Sequence, residues 1–193
     1  MTPLLLALNL LLHSGFTWGR FAVFRVGDRS PAGAQLVQIS ALFGILFDAF
    51  LIAGRGGSHV GLDSLAIAAS AASGLLFVWA VRTVGLQRLT AVFSDDSPAE
   101  LIVSGPFRFV RNPFYVSYLL VYLQALVASR SWWAALPLVG MGCLYYRAAL
   151  LEEKKFLSSR LAMKYRRYTA TTGRFLPVLV PRSRSPLPES VEH

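Results

Sequence analysis

The 193-residue chain is 54% hydrophobic and only 15% charged, where ordinary soluble domains carry roughly 25% charge, and its mean hydropathy is +0.51. That balance excludes a typical soluble fold. The net charge of +9 does not suggest nucleic acid either, because Lys and Arg gather in loops and the tail rather than on one face of a soluble domain.

In chain order, residues 3–19 form a first apolar segment, diluted by His13, Ser14 and Gly15. It lacks a basic leader and a cleavage site, so it reads as a retained helix rather than a signal peptide. Residues 33–54 and 62–81 are two further candidates. Each supplies the roughly 20 apolar residues that a helix needs to cross a bilayer core, with Gly and Ser of the kind that lets membrane helices pack closely. Asp48 lies inside the second candidate, where an ionisable group is either functional or a polar packing contact. His13 and Gln38 read as packing or interfacial residues. Residues 82–112 break the apolar pattern with Asp95, Asp96, Pro98, Glu100, Gly105, Pro106, Arg108 and Arg111, which is loop chemistry.

Residues 114–128 and 132–150 are apolar again across the short step Ser129-Arg130-Ser131, which predicts a tight helical hairpin. From Glu152, apolar positions Leu157, Leu161, Tyr165 and Tyr168 recur at helical spacing opposite Lys and Arg, predicting an amphipathic helix at the membrane surface. Residues 182–193 are polar and proline-bearing, the composition of a disordered tail. The single cysteine, Cys143, reads as a buried structural thiol, and the scattered His13, His59 and His193 argue against a histidine-built metal site.

The reading is an all-α polytopic membrane protein of about five spans, with four as the alternative. Residues 1–81 hold three N-terminal spans, residues 82–181 a second region of loop, hairpin and amphipathic helix, and residues 182–193 the tail. Five spans place Arg20, Arg25, Arg29, Arg82, Arg88, Arg108, Arg111 and the basic tail on one side, against Arg55 and Arg130 on the other. Cytoplasmic loops collect Lys and Arg, so the C-terminus is expected in the cytoplasm and the N-terminus outside.

The stretch Leu101 to Tyr115 carries the chemistry. Gly105-Pro106 predicts a turn, and Pro113 suits the first turn of a helix. Backbone N–H groups at that helix start have no partner within the helix and can hold an anion. Phe107, Phe109 and Tyr115 could wall a flat ligand, or serve as interfacial anchors. Glu152 and Glu153 close the last apolar segment, either as a solvated helix end paired with Lys154 and Lys155 or as acidic groups facing a cationic ligand. A hairpin returns the end of its second arm to the start of its first, which predicts that Asn112–Tyr115 and Glu152–Glu153 are neighbours.

The order Gly105-Pro106-Phe107-Arg108-Phe109-Val110-Arg111-Asn112-Pro113-Phe114-Tyr115, apolar hairpin, Glu152-Glu153, Tyr165, Tyr168 and Gly173-Arg174-Phe175-Leu176-Pro177 resembles the isoprenylcysteine carboxyl methyltransferase family, related to the phospholipid N-methyltransferases. The similarity covers about residues 85–180. It implies S-adenosylmethionine as cofactor, contacted by Ala99, Glu100, Leu101 and Ile102 largely through backbone, by Phe107, by Asn112, Pro113, Phe114 and Tyr115, and by Glu153. It also implies an active site on the cytoplasmic face. Asn112 stands where the eukaryotic enzymes have histidine, Ser117 where glycine is usual, and Ala149 where the family has an arginine for the substrate carboxyl, with Arg147 two residues away.

Arg147, Glu152 and Tyr115 are thus the candidate catalytic residues. The expected acceptor is lipophilic and drawn from the bilayer, in the first instance a prenylcysteine-like carboxylate, with a phenolic lipid or a phospholipid amine as the alternative. An acceptor of the latter kind has to lose a proton, for which Asp95, Asp96, Glu152 or Tyr115 are the available groups. A non-catalytic membrane scaffold that kept the fold is the rival of another class. Neither a metal nor nucleic acid is expected, and the oligomeric state is left open.

Overall fold

The structure, a computed structural model, describes residues 1–25, 32–85, 89–90 and 100–178. Asp95, Asp96, Ala99 and the 182–193 tail lie outside the described residues.

Among the described residues six helices follow in order: α1 (Thr2–Val23), α2 (Ala32–Ala53), α3 (Val60–Val84), α4 (Pro113–Ser129), α5 (Ala135–Leu157) and α6 (Ala162–Thr171). The protein is an all-α membrane protein. Its only strand pairing among the described residues is a two-residue parallel one, Phe24–Arg25 beside Leu89–Thr90. Among the described residues three helices are both long and apolar enough to cross a bilayer, over Gly33–Ala53, Val60–Val84 and Trp132–Leu157. The 22 residues of α1 and the 17 of α4 bring the long bundle helices to five.

The bundle is inverted relative to a soluble protein. Leu36, Ile39, Phe43, Leu46 and Phe50 of α2 are exposed, while Asn9, His13, Asp48, Ser70, Ser73, Ser117 and Gln124 are buried. Lipid solvates the apolar exterior, and polar side chains in the interior hydrogen-bond across helices. Asn9 Nδ2 donates to Gln124 Oε1 at 3.0 Å, and the Ser73 hydroxyl donates to the Ser117 carbonyl at 2.7 Å. The second bond ties α3 to α4 along their shared face. Trp132 and Trp133 stand exposed at the hairpin turn, where aromatic rings anchor membrane proteins at the interface.

The two ends of the bundle differ. At one end Arg55 gathers Asp63 (2.7 Å), the Ala128 carbonyl (2.7 Å) and the Thr2 hydroxyl (3.2 Å), so one guanidinium fastens α1, α2, α3 and α4. At the other end lie the C-terminus of α3, the start of α4, the end of α5 and α6.

Two expectations are corrected here. The fifth apolar helix does not stop before the acidic pair: α5 runs to Leu157, so Glu152 and Glu153 lie inside it, and Ser158–Leu161 turn the chain into a separate α6. Tyr165 and Tyr168 then face protein rather than lipid, Tyr165 stacking on Phe156 with centroids 4.7 Å apart. Cys143 is exposed on α5, because in a bilayer the outward face of a helix is the apolar one.

Candidate functional site

The site is built at the end of the bundle opposite Arg55, from the loop before α4, the last turns of α5 and the segment after α6. Gly105 begins a 3-10 turn, Gly105–Arg108, with φ of +56°, and a Cβ there would sit 2.2 Å from Thr83 Oγ1. Only glycine both accepts that dihedral and lets the loop press on the end of α3. The turn sends Phe107 and Val110 into the core beside Phe77 and Phe114. Pro113 then starts α4 at its first position, where its missing N–H is no loss.

The segment after α6 folds back onto this loop. Arg111 N–H donates to the Gly173 carbonyl at 2.8 Å, and Asn112 donates to the Arg174 carbonyl through both its backbone N–H and its Nδ2, each at 3.2 Å. A Cβ on Gly173 would lie 1.8 Å from the Leu176 carbonyl oxygen, so the turn over Gly173–Leu176 also requires glycine. The Tyr168 hydroxyl donates to the Phe107 carbonyl at 2.5 Å. Burial raises the phenols of Tyr165 and Tyr168 well above their ordinary pKa, so both remain hydroxyls. That keeps the Tyr168 bond intact at any working pH.

Two carboxylates meet this framework with different partners. Glu153 receives Arg111 (2.9 Å) and the Arg174 fork, Nε at 2.7 Å and a terminal nitrogen at 2.9 Å. A carboxylate that accepts two donors from one planar guanidinium is held in a defined orientation. Glu153 also holds the Arg174 guanidinium firmly in its charged form. One residue earlier on α5, Glu152 Oε1 accepts from the Tyr115 hydroxyl at 2.9 Å. Tyr115 stacks on Tyr145 at 5.1 Å, and Tyr118 and Phe175 approach it at 6.4 and 6.5 Å. Tyr115 thus joins the acidic end of α5 to a wall of aromatic rings.

The expected neighbours therefore meet: Asn112–Tyr115 and Glu152–Glu153 share one end of the bundle. Phe114 and Phe107 turn into the core, their rings 6.3 Å apart. Ile102 packs on the same core and Leu101 is half-buried, whereas Glu100 is exposed. Arg147 is not brought in. It is exposed on the side of α5 away from buried Tyr145, Ala148 and Ala149, since residues two apart on a helix face nearly opposite ways. Arg174 and Phe175 were quoted only as parts of a motif, yet they close the site. Their signal was the Gly-Arg-Phe-Leu-Pro turn, which carries no hint of which carboxylate it reaches.

Fold and cluster together define a membrane protein with an acidic, aromatic-walled site at one end of its helical bundle. A model of the phospholipid methyltransferase family matches residues 63–164, more than half of the chain. The chain belongs to that family, the membrane methyltransferases that include the isoprenylcysteine carboxyl methyltransferases. The match spans Arg111, Tyr115, Glu152 and Glu153 but stops before Arg174. No curated protein matches the chain at a significant level.

Proposed function

We propose that this membrane methyltransferase uses S-adenosylmethionine to methylate a lipophilic acceptor at the cluster around Tyr115 and Glu152. The observation that carries the reading is the Tyr115–Glu152 hydrogen bond at 2.9 Å, set beside aromatic rings and backed by a separately neutralised Glu153.

The residues present suit a cationic, aromatic cofactor. Glu152 is half-buried, and Tyr115 engages only one of its oxygens. Tyrosine and phenylalanine faces attract cations through the ring quadrupole, and Tyr115, Tyr118, Tyr145 and Phe175 offer such faces. First-turn N–H groups of α4, at Phe114 and Tyr115, suit the carboxylate of a methionine moiety. When bound, the cofactor supplies the electrophilic methyl group.

The chain supplies orientation, shielding and, where needed, a proton acceptor. The Arg111–Glu153–Arg174 clamp holds the loop, α5 and the final turn in fixed register, the kind of positioning that lowers a barrier. Glu152 takes the proton that an amine or phenol loses as its nitrogen or oxygen gains the methyl group. No guanidinium among the described residues stands free beside Tyr115: Arg111 and Arg174 are both held by Glu153, and Arg147 faces away. This favours a lipid amine or phenolic hydroxyl over a prenylcysteine-like carboxylate, which remains the second reading on the strength of the family pattern. The acceptor enters laterally from the bilayer and the cofactor from the cytoplasm, in keeping with the Lys and Arg distribution.

The test is calorimetry of cofactor binding by detergent-purified protein, joined to transfer of labelled methyl groups into a total lipid extract. Binding by the wild type, a loss of at least tenfold in Glu152→Gln, and label in the organic phase are expected. Absence of binding, or label confined to protein and water, would end the proposal.

A further inference from the structure

A second polar site lies in the middle of the bundle, well away from Glu152. Asp48 of α2 is fully buried, and neither of its carboxylate oxygens has a hydrogen-bond partner. Among the other buried polar atoms that share that condition are His13 Nε2 and Asn9 Oδ1 on α1, and the Tyr122 hydroxyl on α4. Asn9 and His13 are four residues apart, on one face of α1. The His13 and Tyr122 rings meet edge to face at 5.3 Å. Gly44, one turn before Asp48 on the same face of α2, packs against Tyr122: a Cβ added there would lie 3.3 Å from the Tyr122 hydroxyl. The Asn9–Gln124 bond holds α1 against α4 at the same level.

Buried polar atoms in native proteins almost always find partners, and inside a bilayer an uncompensated one costs several kcal/mol, about the same as on transfer to hydrocarbon. Here the group is also acidic, and its surroundings among the described residues hold no compensating cation. Arg55, just beyond the end of α2, is taken up by Asp63. Tyr122 of α4, whose ring His13 of α1 meets, is the titratable group at the Gly44 face of α2, and the α5 contact there is Pro137. The unpartnered atoms are mostly acceptors: two carboxylate oxygens and an amide oxygen, with one hydroxyl and one imidazole nitrogen that can serve either way. What they require is a small guest that is positively charged and seeks oxygen.

We propose that Asp48, Tyr122, Asn9 and His13 form a buried site for one monovalent, oxygen-bound cation, a sodium ion. Asp48 supplies the counter-charge, the Tyr122 and Asn9 oxygens complete the shell, and His13 closes it on one side. Bound there, the guest ties α1, α2 and α4 together at mid-depth, as Arg55 does at the bundle end.

The test reads stability, so its outcome is independent of methyl transfer. The full chain in detergent is melted in sodium chloride and in choline chloride at equal ionic strength, and separately across a pH series without sodium. A cation bound only by the folded state raises the melting temperature by about 5–10 °C at a hundredfold excess over its Kd. Expected is such a rise with sodium at constant pH, whereas a rise with falling pH and none with sodium means that Asp48 is simply protonated and overturns the site. Asp48→Asn should abolish the response. Tyr122→Phe, which keeps the charge and removes one oxygen, should move the half-saturating concentration about tenfold. A wild type that does not respond to sodium overturns the site, as does an Asp48→Asn protein that responds to sodium like wild type. An unchanged half-saturation in Tyr122→Phe overturns the proposed shell.

Discussion

Replacing each of the adjacent carboxylates by glutamine should produce two different failures. Glu153 binds two guanidiniums through three hydrogen bonds of 2.7 to 2.9 Å, with side chains 11 to 24% exposed. Glutamine keeps one acceptor oxygen and no charge, leaving Arg111 and Arg174 facing each other without an anion. Stranding one partner of a buried pair costs about 3–5 kcal/mol, and solvent screening at this partial exposure reduces that to about 2–4 kcal/mol. For a chain of this size, 1 kcal/mol moves the melting temperature by about 2–4 °C, so Glu153→Gln should melt roughly 5–15 °C below wild type in detergent. Glu152→Gln still accepts from the Tyr115 hydroxyl and should melt within about 3 °C of wild type, since one neutral hydrogen bond replaces a charge-assisted one. That variant should instead lose cofactor affinity and methyl transfer. A double-mutant cycle of Glu153→Met with Arg174→Met should show coupling of at least about 1.5 kcal/mol. Additive losses, or a Glu152 variant less stable than the Glu153 variant, would refute the clamp.

Gly105→Ala should destabilise by about 1–3 kcal/mol, because a left-handed dihedral and the Thr83 contact both oppose a Cβ. Adding Thr83→Ala should restore the steric part alone, as read by melting. Asp63→Asn should cost about 3–5 kcal/mol by stranding Arg55, with cofactor affinity per folded molecule unchanged in calorimetry. In a Cys143→Ser background, a membrane-impermeant maleimide added to intact cells should label Ser58→Cys and leave Ser158→Cys unlabelled until lysis. The reverse pattern would invert the proposed orientation.

How much of this was legible in the residues varies with the physics involved. The hairpin was legible, since two apolar stretches separated by Ser129-Arg130-Ser131 have few ways to sit in a bilayer. The meeting of Tyr115 with Glu152 followed from that connectivity alone. The end of α5 was misread because charge marks where a helix leaves lipid, not where its hydrogen bonds stop, and Glu152 through Leu157 continue the same helix. Cys143 was misplaced by a rule from soluble proteins, in which apolar surroundings imply burial. The role of Arg174 was hidden because an extended turn after α6 decides which carboxylate it meets, and periodicity is silent about turns. Asp48 was noticed as an anomaly, but its companions His13 and Tyr122 come from helices whose rotation no one-dimensional pattern sets.

The final turn also has a consequence for biogenesis. Asn112 and the Arg174 carbonyl that anchors it are 62 residues apart in the chain, and the whole hairpin is synthesised between them. All the long helices can therefore enter the bilayer while the end that carries the proposed site still stands open, with Arg111 made but Arg174 not yet there to join it on Glu153. A nascent polypeptide halted before Gly173 would be inserted yet unfinished, and competence for chemistry would arrive as one of the last events of translation.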